Sequence, residues 1–127
     1  MIVLDASAGV SALLNGGQAR GLVAAESVHV PHLIDVEVAS ALRRQHVAGL
    51  ISDAAGRQAL KVWTQIGMIR YAATPLLGRV WELRSSITAY DAMYVALAEQ
   101  LGCTLVTADA KLAGANGMHC AITVVPN

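Results

Sequence analysis

Asp5, Glu37, Asp91 and Asp109 each abut an apolar run, and a chain of 127 residues with only nine acidic side chains places four of them this way. Asp5 closes Met1-Ile2-Val3-Leu4 and Asp109 closes Thr104-Leu105-Val106-Thr107-Ala108, so two carboxylates fall at the exits of two short apolar strands. Asp91 opens the apolar helix from Ala92 to Leu101, and Glu37 stands in Val36-Glu37-Val38-Ala39 near the start of another. Two like charges about 4 Å apart repel by roughly 4 kcal/mol at an effective dielectric near 20, so four carboxylates brought together call for a cation. The donors are all oxygen, with no histidine or cysteine at matching positions, which selects magnesium or manganese over zinc or copper. Such an ion acidifies water and neutralises charge on phosphate oxygens, and the reaction class implied is phosphodiester hydrolysis.

Taken singly, each acid has a plainer reading. Asp5 and Asp109 suit the caps of helices beginning near Ser7 and Ala110, and Asp91 lies three residues after Thr88 in a capping-box-like spacing. Glu37 has apolar neighbours on both sides, and its nearest ion partner along the helix, Arg44, lies almost two turns on; Asp35 is the alternative to it.

Positioning these acids requires a particular order of elements. Strands are expected at Ile2 to Leu4, at Val28 to Val30 with Pro31 cutting the strand off, at Met68 to Tyr71, at Thr104 to Val106 and at Ala121 to Val125. Between them the pattern predicts a helix from Ser7 to the stop at Asn15-Gly16-Gly17, a second short helix, one from Leu33 to Gly49, and one capped by Ser52 and ending at Gly67. Thr74-Pro75 reads as a cap and first helical residue, Thr88 caps a helix ending at Gly102, and a short helix spans Ala110 to Ala113. Alternating short strands and helices predict an α/β fold, a central and mainly parallel sheet covered on both faces. In such sheets ligands collect beyond the carboxyl ends of the strands where strand order reverses, so Asp5 and Asp109 meet if the first and fourth strands are neighbours.

Length allows one domain, residues 1–127, with one core. The composition is 55% hydrophobic and 14% charged, an apolar excess that leaves surface for a partner. Charged residues interrupt every apolar run before the roughly 18 residues of a membrane span, and no basic leader precedes Met1 to Leu4, so a cytoplasmic protein is expected. Cys103 and Cys120 have no zinc-site spacing and are expected as free, buried thiols. A formal charge of zero argues against gripping nucleic acid through bulk positive potential, so any polyanion must be held locally. Arg43, Arg44, Arg79 and Arg84 are candidate phosphate contacts, with a solvated surface role as the alternative for each. Trp63, Trp81, Tyr71, Tyr90 and Tyr94 read as core residues, and His32 as a surface residue at a helix start.

Four segments, in order and spacing, carry a family resemblance: Val3-Leu4-Asp5-Ala6-Ser7, Glu37-Val38-Ala39-Ser40-Ala41-Leu42, Tyr90-Asp91-Ala92-Met93-Tyr94-Val95-Ala96-Leu97-Ala98 and Leu105-Val106-Thr107-Ala108-Asp109. Across nearly its whole length the chain resembles the PIN-domain ribonucleases and, within them, the VapC toxins of bacterial toxin-antitoxin pairs. The resemblance implies a three-layer α/β/α sandwich and a magnesium- or manganese-dependent endoribonuclease with Asp5, Glu37, Asp91 and Asp109 as its acidic, metal-binding cluster. Ser7 and Thr107 match small hydroxyl positions beside that cluster, where they would orient an acid or a water. It also implies an RNA substrate, a homodimer, and inhibition by a VapB-type antitoxin whose C-terminal segment lies in an apolar groove.

Two other readings compete. A strand ending in aspartate also begins the haloacid dehalogenase-like phosphatases, but those want a second aspartate two residues on, where this chain has Ser7. A catalytically silent PIN-type binding module would keep the acids for a metal or an antitoxin alone. A dinucleotide-binding module is disfavoured because Gly16-Gly17 and Gly21 follow a helix and no Gly-x-Gly-x-x-Gly occurs.

Overall fold

The computed structural model describes all 127 residues. Five short strands form one sheet: β1 (Ile2–Leu4), β2 (Val28–Pro31), β3 (Met68–Tyr71), β4 (Thr104–Thr107) and β5 (Ile122–Val124). Every pairing is parallel and the order across the sheet is β3-β2-β1-β4-β5. The helices are α1 (Ala6–Leu14), α2 (Gly17–Ala25), α3 (Ile34–Val47), α4 (Asp53–Gln65), α5 (Leu77–Glu82), α6 (Ala89–Leu101) and α7 (Ala110–Ala113), with a 3-10 turn at Thr74–Leu76 before α5.

From β1 the chain steps outward to β2 and β3, then returns across the sheet to β4 and continues to β5. Parallel crossovers are right-handed, so reversing the direction of travel moves the connecting helices to the opposite face. Accordingly α1 packs with α3 and α4, while α6 lies against β1, β2 and β4, giving three α/β/α layers. The reversal falls between β1 and β4, which pair from Ile2↔Thr104 to Leu4↔Val106.

The core follows from the apolar runs. Val3, Leu4, Val30, Leu105 and Val106 are fully buried, as expected of strands covered on both faces. Helix α6 is buried from Ala92 through Ala98 without a polar break, the pattern of a helix enclosed on all sides. Gly102 ends it at φ 64°, a left-handed cap whose N–H reaches the carbonyls of Ala98 and Glu99. At Gly9 in α1 an added Cβ would stand 3.0 Å from the ring of buried Trp63, so the missing side chain sets how closely α1 approaches α4.

Three expectations need correction. Pro31 extends β2 instead of ending it: β1 pairs only as far as His29, so no neighbour on that side needs the N–H that proline lacks, and Pro31 still pairs with Tyr71. Thr74 lies inside the 3-10 turn, with no side-chain cap there, so the helix begins with a tighter turn than Thr-Pro suggested. Trp81 and Tyr90 are not core residues but are 68% and 63% exposed. Trp63 and Tyr94 are buried as expected, and Ser52 and Thr88 cap α4 and α6 through hydroxyls that accept from the N–H of Ala55 and Asp91.

Candidate active site

Asp5 leaves β1 as the N-cap of α1 and is 4% exposed. Its Oδ1 accepts from Ala8 N–H at 2.9 Å and from Ser7 Oγ at 2.7 Å, and its Oδ2 accepts from Thr107 Oγ1 at the exit of β4. Ser7 and Thr107 each have one hydroxyl proton, and both protons go to Asp5, so the 3.2 Å approach of their oxygens holds no further proton. Each hydroxyl oxygen also accepts a backbone N–H, from Ala108 to Ser7 and from Asp109 to Thr107. Two side chains thereby fix one carboxylate and fasten the loop that carries Asp109.

Asp109 caps α7, its Oδ1 accepting from Lys111 N–H at 2.9 Å. Asp91 sits in the first turn of α6, where the helix N-terminus favours an anion. Glu37, in the first turn of α3, accepts from the hydroxyl of Tyr94. Capping and convergence therefore coexist in the same residues: Asp5, Glu37, Asp91 and Asp109 all line one hollow of about 560 Å³ beyond the carboxyl ends of β1 and β4.

Their electrostatics reflect that crowding. Burial raises the Asp5 carboxyl above its ordinary range, outweighing the hydrogen bonds from Thr107, Ala8 and Ser7, and the nearby Asp109 adds to the rise. Glu37 is raised by burial and by the charges of Asp91 and Asp5, against the opposing bond from Tyr94. Asp91 is raised by burial and by Asp5 and Asp109. Tyr94 is pushed far up, chiefly by burial and by its bond to Glu37, and remains a neutral donor.

The donor set fits a hard divalent cation. It is all oxygen, and its four carboxylates outnumber the one cation on the wall, Arg44. As they stand, no three of the chain's His, Cys, Asp and Glu side chains are grouped closely enough to hold a metal ion together. Magnesium suits an open wall of this kind, because it retains several waters and takes one or two carboxylates directly.

The arginines divide. Arg44 lines the same hollow and donates to Ser40 Oγ at 3.0 Å. Arg84 lines an adjoining hollow that also includes Asp91 and Asp109. Arg43 instead faces the groove between α3 and α4, and Arg79 is held by Glu99 and the carbonyl of Gly117, so neither is brought to the acids. Asp35, the alternative to Glu37, is engaged with Arg70 and Trp63. His32 is exposed and does not line the hollow.

Tyr94, Asn127 and Lys111 carry no site role in the sequence pattern, yet each borders one of the two hollows. Tyr94 had a legible signal, since a residue three positions after Asp91 lies on the same helix face.

The model of the PIN domain matches residues 2–117. The chain belongs to the PIN-domain family. It is 54% identical over 126 residues to Ribonuclease VapC9 of Mycobacterium tuberculosis (strain ATCC 25618 / H37Rv), covering 99% of each chain, which places it with the VapC branch of that family. The crystal structure of M. tuberculosis VapC20, described as a toxin that cleaves the sarcin-ricin loop, superposes with a TM-score of 0.70 at 17% identity, covering 94% of this chain and 97% of that one. VapBC2 from Rickettsia felis, solved bound to a DNA fragment from its promoter, gives 0.68 at 15% identity over 98% and 99% of the two chains. These two structures confirm the PIN fold.

Proposed function

We propose that this PIN-domain protein is a magnesium- or manganese-dependent endoribonuclease, the toxin of a toxin-antitoxin pair, and that it hydrolyses RNA phosphodiester bonds at the hollow walled by Asp5, Glu37, Asp91 and Asp109. The observation that carries this reading is the meeting of four carboxylates, drawn from positions 5 to 109, at the sheet's switch point, with three of them raised by burial and by one another's charge. When bound there, the ion would supply an acidified water and neutralise charge on the phosphate oxygens.

The chain's own residues do the rest. Ser7, Thr107 and the Ala8 N–H hold Asp5 in one orientation, so its oxygens are preorganised as ligands. Tyr94 occupies Oε1 of Glu37 and leaves Oε2 without a protein donor, suited to accept a proton from an attacking water. Asp91 and Asp109 complete the ligand wall, and Arg44 at the rim offers a guanidinium to an RNA phosphate.

The 54% identity to a VapC ribonuclease supports the toxin role and, with it, a VapB-type antitoxin as partner. The exposed Leu77, Trp81 and Tyr90 supply apolar surface of the kind a homodimer or an antitoxin would cover. A phosphatase of the haloacid dehalogenase type is disfavoured, because the residue two after Asp5 is a serine whose proton is already donated to Asp5.

The decisive assay incubates partner-free protein with structured RNAs, with and without magnesium or manganese. Cleavage should require the ion and vanish in Asp5→Asn and Asp91→Asn. Cutting in chelator contradicts the mechanism, phosphate release from a monoester indicates the phosphatase, and ion binding without turnover indicates the silent module.

A further inference from the structure

Asp91 and Asp109 line two hollows, and only one of them is the acidic pocket. The second, of about 510 Å³, is walled on its far side by the segment between α5 and α6 and by α7, through Arg84, Ser85, Ser86, Thr88 and Lys111. Its chemistry differs from that of the first: two cations and three hydroxyls share its wall with the two aspartates.

Those cations are uncommitted. The chain has four ion pairs, made by the N-terminus, Arg57, Arg70 and Arg79, and neither Arg84 nor Lys111 takes part in any of them. Arg84 donates to the carbonyl of Trp81 at 2.9 Å, with its guanidinium 4.7 Å over the Trp81 ring. That stacking fixes the head group and leaves its remaining donors free. An anion is what this wall lacks. Because the hollow shares Asp91 and Asp109 with the acidic pocket, an anion held there would lie beside the bond being cut.

We infer that the second hollow is a phosphate subsite for the nucleotide flanking the scissile bond, with Arg84 and Lys111 as its charged ligands and the hydroxyls of Ser85, Ser86 and Thr88 as neutral donors. A single strand then runs from the rim at Arg44, over the aspartates, to Arg84 and Lys111. The flanking phosphate registers the strand so that the next linkage meets the acids. Contacts of this kind position RNA without reading its sequence. The inference rests on the proposed ribonuclease function and deepens it.

The test is equilibrium binding of a fluorescent single-stranded RNA to the full chain in chelator, followed as a function of salt. Each phosphate neutralised contributes about 0.7 to the slope of log affinity against log salt for single strands. The double variant Arg84→Ala/Lys111→Ala should bind roughly tenfold or more weakly and lose about 0.7 from the slope, the share of the one phosphate the two cations hold. The charge-keeping double variant Arg84→Lys/Lys111→Arg should retain the wild-type slope, which separates lost charge from a damaged fold. An unchanged slope in the alanine double variant, or wild-type protein with no salt-dependent RNA binding, overturns the subsite. Binding that behaves as expected, without cleavage once magnesium is added, leaves the subsite standing and removes the ribonuclease reading. Magnesium-dependent cleavage with an unchanged slope does the reverse.

Discussion

Thr107 gives its only hydroxyl proton to Asp5, a residue 102 positions earlier in the chain. The bond exists because β1 and β4 are parallel neighbours in register from Ile2↔Thr104, so that Asp5 and Thr107 leave the sheet together at the same edge. It also joins the fold to the site, since the hydroxyl that orients the carboxylate accepts the N–H of Asp109.

Thr107→Val keeps the shape and removes the proton. A buried carboxylate oxygen then loses its donor, at a cost of about 1–3 kcal/mol in stability. Losing a hydrogen bond that favours the charged form raises the Asp5 carboxyl further, so the acid limb of the cleavage profile should move to higher pH. Activity at neutral pH should fall about 10–100-fold, as expected when a residue that orients a metal ligand is removed. Thr107→Ser should preserve most of it. A full pH-rate profile decides the matter, and an unshifted acid limb in Thr107→Val would count against the orienting role.

Asp91→Asn should stabilise the metal-free protein while ending cleavage. Asp5, Glu37 and Asp91 all hold their protons more tightly folded than unfolded. Stability from such groups is present at low pH and is lost as pH rises from the ordinary values of 3.8 for aspartate and 4.5 for glutamate through the raised ones. At pH 7 in chelator the charges repel, and the neutral isostere should gain about 0.5–2 kcal/mol. Denaturant melts of both proteins at pH 5 and pH 7 measure it. A variant less stable than wild type at pH 7 would show that Asp91 is paired in a way the fold does not display.

Asp35 has the opposite sign. Its carboxyl is held below the ordinary range by the hydrogen bonds of Arg70, with Trp63 assisting and burial opposing. A lowered carboxylate contributes stability above its unfolded value, and that contribution is lost as pH falls through the folded one. With side-chain exposures of 41% for Asp35 and 27% for Arg70, solvent screens the pair, and Asp35→Asn should cost only about 1 kcal/mol. Cleavage should persist in this variant and vanish in Glu37→Gln. Parallel melts and cleavage assays on the two variants test the assignment of Glu37 over Asp35.

The sheet, its helices and the four acids were legible because each rests on a local signal: an apolar run ended by a carboxylate, a hydroxyl cap, a glycine after a helix. The adjacency of β1 and β4 is a property of topology, and local pattern only made it conditional. Trp81 and Tyr90 were misjudged for a related reason. Helical spacing says which residues share a face but not whether the rest of the chain covers it, and both Trp81 on short α5 (Leu77–Glu82) and Tyr90 in the first turn of α6 stand exposed. Arg79 could not be told from Arg84 by sequence, since its partner Glu99 lies 20 residues away on α6. Tyr94 concealed a second role, because a buried aromatic in an apolar helix looks like packing until its hydroxyl is seen on Glu37.

Ion binding should be visible without any RNA. A cation that binds only the folded chain stabilises it by RT ln(1 + [L]/Kd), about 2.7 kcal/mol at a hundredfold excess over Kd. Magnesium or manganese should therefore raise the melting midpoint of the wild-type chain in proportion to the logarithm of its concentration. The gain should be larger at pH 7 than at pH 5, because protons compete for carboxylates whose affinity for them is raised. Asp91→Asn, already relieved of repulsion, should start higher and gain less, so that the two proteins converge as the ion is added. Ser7, Thr107 and Ala8 already fix Asp5 through hydrogen bonds, so the gain should reflect charge neutralised more than order acquired. Equal midpoint shifts in wild type and Asp91→Asn would place the ion away from these carboxylates and take the cation out of the proposed chemistry.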